Sequence, residues 1–210
     1  PQGLAITSWT YATTAHAAPQ LFDAIAASAR PRLRRFNAQG ISNMAWAYAT
    51  TGHVVDGFFD DLAREAEGRL REFQGQGLAN LAWAFAKTGR YDEQLFAALE
   101  AELERRGAGG LEPQEVSNTV WAFATVGHSA PRLFDKLVVA MGPLLPRCNA
   151  QELANIAWAY ATAGGPRSAF EPVANEALKR SGEFTPQGLA NLAWAFVTAL
   201  CRAEDCAIAL

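Results

Sequence analysis

Six tryptophans recur along this chain of 210 residues at a nearly constant spacing. Each lies in a near-copy of one phrase, such as ANLAWAFAKTGR or ANIAWAYATAGG. The steps between them are 37, 37, 38, 37 and 36 residues, and the six are Trp9, Trp46, Trp83, Trp121, Trp158 and Trp194. A fixed period of this length is typical of stacked structural units that bury their apolar surfaces against one another. The spacing therefore predicts a repeat protein.

The repeat around Trp83 shows what one unit contains. Leu78, Leu81 and Phe85 follow the i, i+3, i+7 spacing of an amphipathic helix, and Trp83 widens the apolar surface to a second side. A helix that is apolar on two sides must lie between neighbours. We interpret the tryptophans as wedges in the core between repeats, in preference to an exposed platform on which bases stack.

A glycine six residues after the tryptophan predicts the end of this first helix, because glycine readily adopts the left-handed cap conformation. In the third repeat it is Gly89, and a second helix follows near residues 91–106. The equivalent glycines are Gly52, Gly127 and Gly164. Asn149 with Glu152, and Thr185 before Pro186, predict helix starts.

These signals predict an all-α fold, a right-handed α-solenoid of helical hairpins with a repeat of about 37 residues. Residues 1–210 are expected to form one solenoid of about five repeats plus a partial one. Since the chain begins and ends inside a repeat, we expect it to be a fragment of a longer chain.

Composition excludes several classes of function. The sequence contains no stretch of about 18 apolar residues, so we expect no membrane insertion. The three cysteines have no zinc-site spacing, and we find no set of nucleophile, base and acid and no phosphate-binding loop. We expect no enzyme activity, no metal and no cofactor. A net charge of −3 disfavours strong, nonspecific binding of nucleic acid but leaves room for a local basic stripe.

Amide side chains recur on the first helices. A glutamine lies seven residues before each tryptophan, and an asparagine lies three before every tryptophan except the first. These two positions are four apart and share one helical face. The amides could bond bases or peptide groups, or the asparagines could be buried structural residues bonded to backbone. With Lys87, the candidates for contact with bases are Gln39, Asn43, Gln76, Asn80, Gln114, Asn118, Gln151, Asn155, Gln187 and Asn191.

Basic residues collect where the second helices end, and we call this set the arginine rim. Cations at helix C-termini interact favourably with the helix dipole, but the run RPRLRR contains more arginines than that interaction requires. The alternative is a row of phosphate contacts. The candidates are Arg30, Arg32, Arg34, Arg35, Arg69, Arg71, Arg105, Arg106, Arg147, Lys179 and Arg180.

One further position carries polar side chains, seven residues after the tryptophan. It holds His16, His53, Arg90 and His128 in four of the repeats. We interpret it as a turn residue beside the capping glycine, with contact to a ligand as the alternative.

The repeated phrase, as in QGLANLAWAFAKTG and QELANIAWAYATAG, resembles the octotricopeptide and heptatricopeptide repeats. These are relatives of the repeats in FAST-kinase-like proteins that carry a RAP domain. The resemblance covers essentially the whole chain, although the proline-rich segment typical of octotricopeptide repeats is absent. It implies an α-solenoid of mitochondria or chloroplasts that acts in organellar RNA processing, stability or translation, or in ribosome assembly.

Two functions follow as hypotheses. In the first, the chain binds single-stranded RNA or rRNA, with the polar face of the first helices on the bases and the arginine rim on the phosphates. In the second, it is a protein-interaction scaffold or a structural subunit of a large organellar complex, with protein subunits as partners.

Overall fold

The computed structural model describes residues 1–107 and 110–208, with the side chains of the last helix as far as Cys201. Within these ranges the chain forms eleven α-helices and no strand, which confirms the all-α prediction. The helices are α1 (Gln2–Thr13), α2 (Pro19–Ala29), α3 (Ala38–Thr51), α4 (Phe58–Glu67), α5 (Gly75–Lys87), α6 (Glu93–Arg106), α7 (Pro113–Val126), α8 (Pro131–Met141), α9 (Ala150–Ala163), α10 (Phe170–Lys179) and α11 (Pro186–Ile208). Short 3-10 helices lie at Arg30–Arg35, Leu70–Glu72, Gly142–Arg147, Arg167–Ala169 and Ser181–Glu183.

The chain divides into two compact units, Pro1–Glu102 and Leu103–Leu210. In the first unit, α3 packs between α1 and α5, while α2 packs on α1 and α4 packs on α3. In the second, α9 packs between α7 and α11, while α8 packs on α7 and α10 packs on α9. Each unit therefore contains a row of first helices with second helices attached. That all of residues 1–210 form one solenoid stays a prediction.

Side chains cap the starts of four first helices, α3, α7, α9 and α11. At α9, the side-chain oxygen of Asn149 accepts a hydrogen bond from the Glu152 amide (2.9 Å), and the Glu152 carboxylate accepts one from the Asn149 amide (2.8 Å). This reciprocal pair confirms the predicted capping box. At α11, the Thr185 hydroxyl accepts from the amide of Gly188. Asn37 caps α3 in the same way.

Left-handed glycines terminate three first helices, as predicted. Gly52, Gly127 and Gly164 have φ between +65° and +71° at the C-caps of α3, α7 and α9. The end of α5 differs by one residue, because Thr88 is the C-cap and Gly89 follows it with φ +67°.

The tryptophans are not the most deeply buried aromatic residues of the repeats. The four middle tryptophans are only half-buried, and Trp9 and Trp194 are 44% and 47% exposed. The aromatic residue two positions later fills the core in each of these four repeats: Tyr48, Phe85, Phe123 and Tyr160 are at most 2% exposed. That position lies in the i, i+3, i+7 stripe, whereas the tryptophan lies at its edge.

No helix in the described part of the chain is long and apolar enough to cross a membrane.

Candidate nucleic-acid interface

Two equivalent clefts lie where the first helices begin. In the first unit, a cleft of about 390 Å³ separates the starts of α3 and α5. Four of the predicted amides line it together, namely Gln39, Asn43, Gln76 and Asn80. Because the glutamine and the asparagine are one helical turn apart, each helix contributes one of each to the same cleft.

The second unit repeats this arrangement. A cleft of about 620 Å³ lies between the starts of α9 and α11. Its four amides are Gln151, Asn155, Gln187 and Asn191, at the same repeat positions as in the first cleft. The two clefts thus bring together eight of the eleven residues predicted to face bases.

The amides in both clefts are open to a ligand. The four glutamines are exposed and the four asparagines are half-buried. None of the eight side-chain amides forms a hydrogen bond with another described residue. The asparagines are therefore not the buried, bonded structural residues that one interpretation required. A side-chain amide offers two donor hydrogens and a carbonyl acceptor, which is what the edge of a base or a peptide group can pair with.

Three of the predicted base-facing residues lie elsewhere. Gln114 is exposed and Asn118 half-buried in α7, where they line neither cleft. Lys87 is exposed in the last turn of α5. It is eleven residues beyond Gln76, or roughly 16 Å along the helix, so it belongs to the opposite end.

Gly77 lines the first cleft at a point where neighbouring side chains leave little room for a Cβ atom. A Cβ atom on Gly77 would lie 3.3 Å from the ring of Phe73 and 3.4 Å from the Ser42 hydroxyl. The buried ring of Phe73 can therefore pack tightly under the start of α5. A larger side chain at this position would have to push into the space between α3 and α5.

Much of the arginine rim is neutralised within the protein. Arg30 donates to Asp61 at 2.6 Å and to the carbonyl oxygen of Asp56, and Arg147 pairs with Glu112. At the end of α10, Lys179 and Arg180 both pair with the buried carboxylate of Glu176, at 3.1 and 3.3 Å. An arginine already held by a carboxylate gains less from a phosphate, since binding must first break the existing pair.

Arg69 is the most firmly held member of the rim. Its guanidinium pairs with Glu65 and Glu72, both at 2.8 Å, and donates to the carbonyl oxygen of Phe36. Hydrogen bonds to Glu72 and then to Glu65 raise the pKa of Arg69, and the bond from Arg69 lowers the pKa of Glu72. The signal for this in the sequence is a glutamate four residues before the arginine, a spacing that Glu176 and Arg180 share.

The remaining cations of the rim differ in their accessibility. Arg34 and Arg35 are exposed and make no ion pair or hydrogen bond with the described residues. Arg32 donates to the carbonyl oxygen of Ser28 at 2.7 Å. Arg71 and Arg105 are exposed, and Arg106 is half-buried.

The accessible cations and the first cleft lie on the same segment of chain. Arg34 and Arg35 come three and two residues before Asn37, which caps α3 and lines the cleft. The positive ends of α3 and α5 also point to this edge. A polyanion with hydrogen-bonding bases would therefore meet donors, acceptors and positive charge in one place.

Polar residues in the turns contact the preceding second helix. His53 Nε2 lies 2.8 Å from Asp23 Oδ1, and Arg90 Nη1 lies 3.8 Å from Asp60 Oδ1. His16 instead packs edge-on against Tyr11. These contacts agree with a structural role for the turn position.

The described residues contain no group of three or more histidine, cysteine, aspartate or glutamate side chains that could hold a metal ion. Cys148 is buried and Cys201 is exposed. Burial, and next the charge of Glu152, raise the pKa of the Cys148 thiol to about 11. This thiol is therefore protonated near neutral pH and is a poor nucleophile.

Comparison of the chain with models of protein families found no match, and neither did comparison with curated proteins.

Proposed function

We propose that this chain is an RNA-binding helical-repeat protein, a right-handed α-solenoid with a repeat of about 37 residues that holds single-stranded RNA or rRNA along the starts of its first helices. The observation that carries the proposal is the pair of amide-lined clefts. In each, four amides from two successive first helices face one space and have no partner among the described residues.

Single-stranded RNA fits this chemistry better than a duplex does. Unstacked bases present their hydrogen-bonding edges to side chains, whereas the deep major groove of A-form RNA hides them. The exposed Arg34 and Arg35 would hold the backbone beside the first cleft. Because the amides repeat without change, we expect them to bind bases with little discrimination.

The biological role follows from the family resemblance alone. On that basis we propose that the protein acts in mitochondria or chloroplasts, in RNA processing, stability, translation or ribosome assembly. We propose no enzyme activity for this chain.

A scaffold for protein partners is the second candidate, favoured by the ion pairs of the rim. Arg30, Arg69 and Arg147 are already paired with carboxylates, and the net charge is −3. In that case the amides of the clefts would bond the backbone of a partner segment, and protein subunits of a large assembly would be the partners.

The test is binding of a random single-stranded RNA pool, followed by fluorescence anisotropy between about 50 and about 200 mM salt. The double variant R34E/R35E removes the two exposed arginines beside the first cleft. The matched control R132E/R167E changes the net charge equally, and both of its arginines are exposed and lie outside the rim. We expect the rim variant to lose most of the affinity and about 1.4 of the slope of log K against log salt, which corresponds to two phosphate contacts.

The control should keep the unaltered slope. Equal losses in both variants would show that only net charge matters and would contradict a specific interface. Absence of binding at about 50 mM salt would favour the scaffold. A third variant, N43L/N80L, leaves the cations in place and tests the cleft, and full affinity in that variant would exclude these two asparagines as base contacts.

A further inference from the structure

Two helix interfaces in this protein are near-copies of each other. The sequences PQLFD and PRLFD open α2 and α8. Tyr48 donates from its hydroxyl to the carbonyl oxygen of Phe22 (2.6 Å), and Tyr160 donates to that of Phe134 (3.0 Å). The paired rings meet edge to face with centroids 4.9 and 5.1 Å apart. The same contacts thus join α2 to α3 and α8 to α9.

In the first copy, a side chain from the turn completes the interface. His53 follows Tyr48 by five residues, places Nε2 at 2.8 Å from Asp23 Oδ1 and packs its ring 5.7 Å from the ring of Phe22. Its side chain is only 19% exposed. The carboxylate and the aromatic ring thus form two walls of a site that an imidazole fills.

The next interface along the chain holds a guanidinium in the equivalent site. Arg90 lies over the ring of Phe59, with Cζ 5.5 Å from the centroid, and its Nη1 is 3.8 Å from Asp60 Oδ1. A phenylalanine followed by an aspartate therefore accepts either a histidine or an arginine in this position. Cation–π attraction and the ion pair act on the same group.

In the second copy, the side chain that should fill the site is missing. Gly165 follows Tyr160 by five residues, and its Cβ would lie only 2.5 Å from Cδ1 of the Tyr160 ring. The Tyr160 ring therefore occupies the space that the first atom of a side chain at position 165 would need. Asp135, the counterpart of Asp23, makes no ion pair and no hydrogen bond with the described residues.

A cavity of about 460 Å³ occupies this region, lined by Phe134, Asp135 and Gly165. Thr162 and His128 also line the cavity; the Thr162 hydroxyl oxygen is itself buried without a hydrogen-bond partner, and the His128 ring packs edge-on against Phe123. The cavity thus offers a carboxylate and an aromatic wall.

We propose that this cavity binds an arginine side chain of a partner protein, which takes in trans the position that the side chains of His53 and Arg90 occupy within the chain. A guanidinium matches the site because it pairs with a carboxylate and stacks on a ring. The carboxylate repels phosphate, so this is not a second site for the RNA backbone. The cavity lies at the C-terminal ends of the first helices, opposite the ends that form the amide clefts, and the inference does not depend on RNA binding.

The experiment uses the full 210-residue chain labelled with ¹⁵N and titrated with N-acetyl-arginine amide. N-acetyl-citrulline amide is the matched probe, because it has nearly the same shape without the charge. We expect saturable shifts of the amide signals of Asp135, Gly164 and Gly165 with the arginine probe alone. The variant D135N should weaken binding about fivefold, as loss of one partly exposed ion pair implies.

D23N is the matched control, because His53 already fills the site beside Asp23, and it should leave binding at Gly165 unchanged. Equal shifts with citrulline, or unchanged binding in D135N, would overturn the proposal. So would binding that occurs only in the variant R167Q. That result would show that Arg167, two residues beyond Gly165 in the chain, occupies the site itself.

Discussion

The guanidinium of Arg69 donates a hydrogen bond of 3.0 Å from Nη2 to the carbonyl oxygen of Phe36, a residue 33 positions earlier in the chain. Phe36 is a buried residue in the linker between α2 and α3. The same guanidinium is held by Glu65 and Glu72. Arg69 therefore links the end of α4 to the linker that precedes α3, whereas Arg34, which belongs to the same arginine rim, is exposed to solvent.

We expect Arg69→Ala to lower the free energy of unfolding by about 1.5–3 kcal/mol, because it removes a charge-assisted bond to a part-buried carbonyl and leaves the half-buried Glu65 without its partner. Arg34→Ala should change it by less than about 0.5 kcal/mol. Urea unfolding followed by circular dichroism measures both. Equal losses in the two variants would show that Arg69 is only a surface cation.

The tyrosine hydroxyls give a second stability prediction. Tyr48→Phe removes the bond to the Phe22 carbonyl and little else, since the ring stays and phenylalanine occupies the equivalent position in α5. We expect a loss of about 1 kcal/mol. Tyr11→Phe is the control, because no hydrogen bond of its hydroxyl to the described residues is present. A loss as large in Tyr11→Phe would contradict this assignment.

Stability should also fall at alkaline pH. Burial, and next the charge of Asp23, raise the pKa of Tyr48 well above its ordinary value of 10.0, and burial raises that of Tyr160 even further. Below pH 10 both hydroxyls are protonated in the folded and the unfolded chain, so this stability is fully present there. Above pH 10 the unfolded chain loses these protons first, and stability declines by up to about 1.4 kcal/mol per pH unit for each tyrosine.

Urea midpoints measured from pH 8 to pH 11 test this expectation. The double variant Y48F/Y160F should be less stable at pH 8 and should show a shallower decline above pH 10. An unchanged slope in the double variant would mean that other groups cause the alkaline loss.

The core position two residues after each tryptophan should matter more than the tryptophan itself. We expect Phe85→Ala to cost about 3–5 kcal/mol, as for a fully buried ring. Trp83→Ala should cost less despite its larger ring, because Trp83 is only half-buried. Thermal and urea unfolding of the two variants give the comparison, and a larger cost for Trp83→Ala would restore the tryptophan as the main wedge.

The sequence by itself determined that the chain is helical and where several of its helices begin and end. The capping box of Asn149 with Glu152 and the left-handed glycines at the ends of α3, α7 and α9 lie where the sequence predicts them. These features depend on contacts between residues at most about five positions apart, and such contacts can be read along the chain. The shared face of each glutamine and asparagine is of the same kind.

Only the tertiary structure decided which of these residues are available to contact a ligand. Whether Arg69 is free to contact a phosphate or is bonded within the protein depends on Phe36, 33 residues away. Whether Asp135 has a partner within the chain depends on the residue at position 165, which is a glycine and lies 30 residues away. The burial of Phe85 in preference to Trp83 likewise depends on where neighbouring helices lie. Repetition in the sequence predicts that equivalent residues have equivalent neighbours. Each of these contacts is made across a helix interface, however, and a single difference between repeats, such as glycine in place of histidine, removes the contact.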